Sequence, residues 1–317
     1  MIKTIYNYDK ILLGEKNNMI EIKIGMNEKE QRIDRFLMKM MKNDTRGNIF
    51  KYLRKKIIKV NGKKVKENYF LKEDDIINIY LPEEFFNKMS EVKKDEIIDK
   101  FHLDIVYEDE KLLIVDKPVG LLTHPDKNEY KKTLSSYVNI YLSDYASRTF
   151  KPASIQRLDK NTSGLIIFAK NYDTLKKMNE LMRNREIKKY YLTVVEGSME
   201  GVREVKGYIV KDERSNRSTL YKSPVKESKQ VHTIFRTLKS NEKYSLLEVE
   251  LLTGRSHQIR ASLEAVGHPI VGDKKYGGKS IKGVERYLLH AYKVKFEGKE
   301  YVKESKEILS FVEKEIY

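Results

Sequence analysis

The chain has 317 residues, enough for two domains or for one large domain with an appendage. Its 40% hydrophobic residues suffice for a core, while a net charge of +16 and a sequence pI near 9.4 make a polyanion the natural partner. The lack of cysteine excludes disulfides, thiolate nucleophiles and Cys-based zinc or iron–sulfur sites, and no apolar run approaches the roughly 20 residues that span a bilayer.

Residues 1–18 carry little pattern, and no sustained apolar stretch beside Lys3 and Lys10 suggests a signal peptide. A cytoplasmic protein is expected, with ordered structure beginning near Met19, so that 1–30 forms an extension and a first strand. From Gln31, Ile33, Phe36, Leu37, Met40 and Met41 recur at helical spacing, and Ile49, Leu53 and Ile57 mark a second helix. IIKVNGKKV predicts two short strands around Asn61-Gly62, and IINIYL over 76–81 another strand, ended by Pro82. Residues 31–66 hold 13 Lys/Arg against 2 acids, a balance of +11. A solvated surface mixes signs; this one does not. Arg46, Lys51, Arg54, Lys55, Lys56, Lys59, Lys63 and Lys64 therefore form a candidate phosphate-contacting face. RIDRFLMKM, RKKIIKVNGKKV and DDIINIYL together resemble the S4 RNA-binding domain, which implies structured RNA as the partner of residues 31–82.

Residues 83–100, charged in both signs with few apolar anchors, read as a linker, in part helical. Beyond them, Leu112–Val115 is a predicted strand, Lys117-Pro118-Val119-Gly120 a turn, and His124-Pro125 another turn. In SIQRLDKNTSGLIIFAKN, a polar run with Asp159 between Arg157 and Lys160 precedes a buried-strand pattern, Leu165–Ala169. An acid on a loop held against a rigid strand is a candidate working group, and an ordinary charged turn is the competing reading. Leu175, Met178, Leu181 and Met182 describe an amphipathic helix. In the following strand, KKYYLTVVEG, Tyr190 and Tyr191 face opposite ways, so one can pack while the other faces a cleft. Residues 201–230 suggest a hairpin or a mobile loop, Ser245–Leu251 a strand, Thr253–Ser256 a turn into His257, Gln258 and Arg260, and Leu288–Ala291 a last strand.

Several signals lead nowhere. GDKKYGGKS has one residue too many between its glycines for a phosphate loop and follows no good strand; Ser256-His257 lacks a nucleophile elbow; the six histidines show no metal-ligand spacing. What remains is an acid, a tyrosine pair and two arginines, Arg255 and Arg260. A buried carboxylate needs a cation if it is to stay ionised, and Arg260 could serve. A tyrosine can stack on a base taken out of its helix.

QRLDKNTSGL resembles the R-L-D-x-x-T-S-G motif of pseudouridine synthases, KKYYLTVVEG their second motif, and LLTGRSHQIRASLEAVGHPIVGDKKYG their third. The T-G-R-x-H-Q-I-R form is similar to the RluA/RluC/RluD group. The resemblance implies an α+β fold with a mixed, mainly antiparallel catalytic sheet over 101–317 and a small α/β S4 domain ahead of it. It implies isomerisation of uridines in RNA, most readily large-subunit ribosomal RNA, by a monomer without metal or organic cofactor and without a membrane. Asp159 is then the catalytic aspartate, breaking the N1–C1′ bond either by attack at C1′ or by abstracting a sugar proton. Tyr191 stacks on the base and assists at C5, Arg260 pairs with Asp159, Arg157 fills the space of the flipped uridine, and Arg255 contacts RNA. Gln156 stands where the family often has histidine. The alternative, a non-catalytic RNA-binding or ribosome-assembly factor, sits poorly with an intact Asp159, Tyr191 and Arg260.

Overall fold

The computed structural model describes residues 19–90 and 101–317 except Arg148; the expectation for residues 1–18 lies outside them. The described residues divide into one unit within Met1–Ile98 with Ser143–Pro152 and Asn171–Asp173, and another within Asp99–Leu142, Ala153–Lys170 and Thr174–Tyr317.

In the first unit the chain runs β1 (Met19–Lys23), α1 (Ile33–Met40), α2 (Arg46–Arg54), β2 (Ile58–Val60), β3 (Ile76–Tyr80) and α3 (Glu83–Ser90). The strands form an antiparallel sheet in the order β1-β3-β2. The apolar stripe of α1 (Ile33, Phe36, Leu37, Met40) and that of α2 (Ile49, Tyr52, Leu53) bury against Ile58, Val60, Ile77 and Ile79. Thr45 starts α2 as an N-cap, its hydroxyl accepting from the Asn48 amide at 3.2 Å. Ile57 lies past the end of α2 yet stays in this core.

One expectation is corrected here. Asn61 and Gly62 both take positive φ, the hairpin turn the sequence predicts, and Val60 and Lys63 exchange backbone hydrogen bonds at 2.9 Å. No second strand follows, because Lys64-Val65-Lys66-Glu67-Asn68 offers one apolar residue to cover; β2 pairs with β3 instead. The stretch read as a linker from residue 83 begins as helix α3, anchored by buried Phe85 and Phe86, while 91–100 lie outside the described residues.

The second unit continues with β4 (Asp104–Glu108), β5 (Leu112–Lys117), α4 (Leu134–Tyr141), β6 (Ala153–Ser154), β7 (Ser163–Ala169), α5 (Tyr172–Arg183), β8 (Lys188–Glu196), β9 (Val202–Asp212), β10 (Arg217–Tyr221), β11 (Lys229–Ser240), β12 (Tyr244–Leu251), α6 (Gln258–Ala265), β13 (Leu289–Phe296), β14 (Lys299–Val302) and α7 (Lys306–Glu315). Among the described residues the strands form one mixed sheet in the order β10-β9-β11-β12-β8-β13-β7-β5-β4, with β14 on β13 and β6 on β7. Among the described strands only the β13–β7 pair is parallel. Residues 201–230 supply the β9–β10 hairpin, at one edge of this sheet.

Helices cover both faces, which is why β7 reads as a continuous apolar run. Ile166 and Phe168 share a core with α4 and α6, and Leu165, Ile167 and Ala169 pack with Met178 of α5. Farther along the second face, Ile308, Phe311 and Val312 of α7 cover Leu192 and Val194 of β8. Gly164 opens β7 at φ +119°, and a Cβ there would run into the Ala291 backbone of β13. The glycine therefore permits the close parallel pairing that fixes the end of β7 beside the Asp159 loop.

Candidate active site

The loop between β6 and β7 carries Asp159, and its neighbours in sequence are held by backbone contacts. Leu158 donates its N–H to Thr123 Oγ1 at 3.1 Å, and the same hydroxyl donates to the Leu158 carbonyl at 2.9 Å. On the other side, the Lys160 carbonyl accepts from the Gly120 amide at 2.8 Å and from Lys117 Nζ at 3.1 Å. Asn161 accepts from Arg286 at 2.7 Å, and the Thr162 hydroxyl meets the Tyr287 hydroxyl at 3.1 Å. The carboxylate of Asp159 stays about a quarter exposed (24%) on a backbone that has little freedom to move.

Lys117, at the end of β5, is fully buried and donates to three carbonyls, those of Pro118, Leu121 and Lys160, at 2.8–3.1 Å. Burial lowers its amine from 10.5 to about 7, partly opposed by the charges of Asp159 and Asp116. Between about pH 7 and 10.5 the unfolded chain therefore holds a proton that the folded chain has released, and stability rises with pH across that window. Lys117→Met is expected to flatten that rise and, below about pH 7 where the ammonium has three N–H to give, to cost on the order of 3 kcal/mol, about 1 kcal/mol for each orphaned carbonyl. Urea melts from below pH 7 to pH 10 check both effects.

Arg260, buried on the first turn of α6, lies with Nη1 3.8 Å from Asp159 Oδ2. Its tighter partner is Asp273, which accepts from Nε at 2.6 Å and Nη2 at 2.7 Å in a bidentate pair. The guanidinium lies between the rings of Tyr276 and Tyr287, 4.6 and 4.2 Å from their centroids. Burial works against its charge, but the Asp273 hydrogen bonds and the surrounding negative groups outweigh it and raise its pKa. Asp273 thus holds the arginine, and Asp159 meets it at longer range.

Tyr191, in the middle of β8, is buried, and desolvation followed by the charge of Asp159 pushes its hydroxyl far above the usual phenol range. It is held as a neutral phenol. Tyr190, its neighbour, faces the other way and is half-buried beneath Lys293. Arg157 and Arg255 are exposed, and Arg255 is positioned by the side chain of Gln258, whose Oε1 accepts the Arg255 amide at 3.0 Å and the Thr253 hydroxyl at 2.9 Å. Gln156 donates to the Leu165 carbonyl at 3.3 Å, and its Oε1 has no partner among the described residues.

In the first unit, Arg46, Arg54, Lys55, Lys56 and Lys63 are exposed, and half-buried Lys59 lies 4.8 Å over the ring of Tyr80. They follow one another through α2 and the turn after β2. The structure therefore groups Asp159, Tyr191 and Arg260 within the second unit and the expected RNA-contacting cations within the first.

Sequence reasoning missed Lys117, Thr123, His257, Asp273, Tyr276 and Tyr287. His257 Nε2 lies 3.7 Å from Asp159 Oδ2. Lys117-Pro118-Val119-Gly120 was legible as a turn only, and GDKKYGG as a failed phosphate loop and as the end of the third motif, with no role given to Asp273, the arginine's partner.

Comparison with known proteins places the chain in a family. The model of the RNA pseudouridylate synthase family matches residues 111–265, and the S4 domain model matches residues 31–77. An uncharacterized RNA pseudouridine synthase of Bacillus subtilis, YhcT, is 33% identical over 291 residues, 89% of this chain and 90% of that protein. Ribosomal large subunit pseudouridine synthase C of Pasteurella multocida is 29% identical over 86% of this chain and 85% of its own. Among solved structures, human RNA pseudouridylate synthase domain containing 4 superposes with a TM-score of 0.56 at 21% identity, over 66% of this chain and 91% of that one, a likeness of fold. With a third of its residues shared along nine-tenths of a relative, this chain belongs to the RNA pseudouridine synthase family and carries an S4 domain ahead of its catalytic part.

Proposed function

We propose that this enzyme converts specific uridines of large-subunit ribosomal RNA to pseudouridine in the cytoplasm, as a monomer. Residues 31–82 hold structured RNA and 101–317 carry the chemistry. Asp159 acts at the sugar to release the base, the detached uracil rotates, and C5 bonds to C1′. Arg157, exposed two residues before Asp159, fills the gap left in the RNA helix when the uridine flips out. Tyr191, a neutral phenol beside the carboxylate, stacks on the base, and it can take the C5 proton only as its own is passed on. Arg260 steadies the negative charge of Asp159, and Arg255 meets the RNA backbone.

The observation that carries this reading is the Asp159 loop. A carboxylate kept partly open, with both sequence neighbours fixed by backbone hydrogen bonds and an arginine on one oxygen, is pre-organised for one task. The kinship with a ribosomal large subunit synthase supports ribosomal RNA as the substrate class. Mapping pseudouridines in ribosomal RNA from cells with and without the gene tests it. One or a few large-subunit sites are expected to revert to uridine; unchanged large-subunit RNA would redirect the search to other RNAs.

A further inference from the structure

His257 takes no part in the roles above, yet it faces the same carboxylate oxygen as Arg260. It stands at the N-cap of α6 with φ 54° and ψ 20°, a left-handed backbone that non-glycine residues adopt uncommonly. That conformation belongs to the turn that brings Nε2 to 3.7 Å from Asp159 Oδ2, while Nδ1 lies 2.9 Å from the hydroxyl of Tyr276. Tyr276 is fully buried, and its hydroxyl oxygen accepts the backbone N–H of Ser218 at 2.8 Å. Ser218 is itself buried on β10, at the sheet edge, and its side chain donates to the Ser256 carbonyl at 2.8 Å.

This arrangement decides the tautomer. A phenol hydroxyl has one proton to give. Among the described residues the Tyr276 hydroxyl meets no acceptor other than His257 Nδ1. If Nδ1 carried the proton, the buried tyrosine proton would have nowhere to go, a costly arrangement. Nδ1 therefore accepts, and the ring proton sits on Nε2, toward Asp159.

The groups around the ring keep it neutral near pH 7. Burial lowers its pKa below 6.5; Asp159 opposes this, Arg260 and Lys275 reinforce it, and Asp273 opposes it. A neutral N–H and a guanidinium thus both address Oδ2.

We propose that His257 is a positioning residue for the isomerisation: the β9–β10 hairpin, through Ser218 N–H and Tyr276, locks it as the Nε2–H tautomer, and that N–H orients the Asp159 carboxylate. This rests on the proposed role of Asp159. The 3.7 Å separation is long for a hydrogen bond, and catalytic hydrogen bonds commonly shorten once substrate closes the site.

The test has one arm that needs no activity. In protein labelled with 15N-histidine, long-range nitrogen–proton correlation spectra, assigned by loss of one ring in His257→Gln, are expected to show His257 protonated on Nε2. Single-turnover conversion of unmodified large-subunit ribosomal RNA supplies the other arm. His257→Leu is expected to slow it about tenfold at unchanged RNA affinity, the loss of one hydrogen bond to a charged group. His257→Gln, whose amide nitrogen can stand near the Nε2 position, is expected to recover most of the rate at the same backbone angles. Tyr276→Phe, which keeps the ring volume, is expected to slow the reaction and let the Nδ1–H tautomer appear. An active wild-type enzyme whose His257 is Nδ1–H, or whose His257→Leu variant runs at full rate, overturns the inference alone. A wild-type enzyme that makes no pseudouridine in large-subunit RNA or in any other RNA of the cell overturns the role of Asp159 on which it rests.

Discussion

Asp159→Asn is expected to lower pseudouridine formation by at least about a thousandfold while RNA affinity is retained, the loss typical of removing a group that acts directly on the reacting atoms. The substitution is nearly isosteric. It leaves untouched the contacts that hold the loop, because Thr123, Gly120 and Lys117 bond to the backbones of Leu158 and Lys160 rather than to the Asp159 side chain. Arg260 keeps its bidentate partner Asp273, so no buried cation is stranded. A defect in the variant is therefore chemical, not structural. Single-turnover assays at saturating RNA, with binding measured in parallel, check it; isomerisation near the wild-type rate would remove Asp159 from the chemistry.

The elements that the sequence made legible are those whose pattern is local. The run Leu165–Ala169 appears as a strand because both of its faces are covered, and the helix through Leu175 and Met178 appears because only one of its faces is. Tyr190 and Tyr191 could be told apart as outward and inward because neighbours on a strand face opposite ways, although the pattern did not say which was which. The acid, the tyrosine and the arginine came from motifs, and the fold brings them to one place. What was not legible depends on partners distant in sequence. Nothing local marks Asp273 as the grip on Arg260, since the pair forms between residues 13 apart, beyond the end of α6, and the glycines around Asp273 look like those of many loops. Lys117 reads as a surface lysine, and only the three carbonyls converging on it explain why it is buried. Phe85 and Phe86, in a stretch charged in both signs, seemed too few to anchor anything, yet they complete the core of the first unit. The second arm of the Asn61-Gly62 hairpin failed for the opposite reason: the turn chemistry is right, but β3 supplies the partner that the local pattern assigned to residues after Lys63.

Replacing Arg46, Arg54, Lys55, Lys56 and Lys63 together by Gln is expected to weaken binding to structured RNA on the order of a hundredfold at low salt. The effect should appear chiefly in the salt dependence. Each duplex phosphate contact contributes roughly 0.9 to the slope of log affinity against log salt, so losing five flattens it by about 4.5 if all of them contact duplex. All five side chains are exposed, so the fold should lose little; surface changes of this kind usually fall within about 0.5 kcal/mol each. Lys59 is left in place because its stem and ammonium cover Tyr80. A control removes three charges where no RNA role is assigned, at exposed Lys299, Lys306 and Lys314, and should leave the slope nearly unchanged. Because the substitutions spare Asp159 and everything that holds it, KM should rise while the single-turnover rate at saturating RNA stays near wild type. That split separates a binding face from a catalytic one. Equal slopes for the two sets would mean that the +11 balance of residues 31–66 is a solvated surface and that another part of the chain grips the RNA.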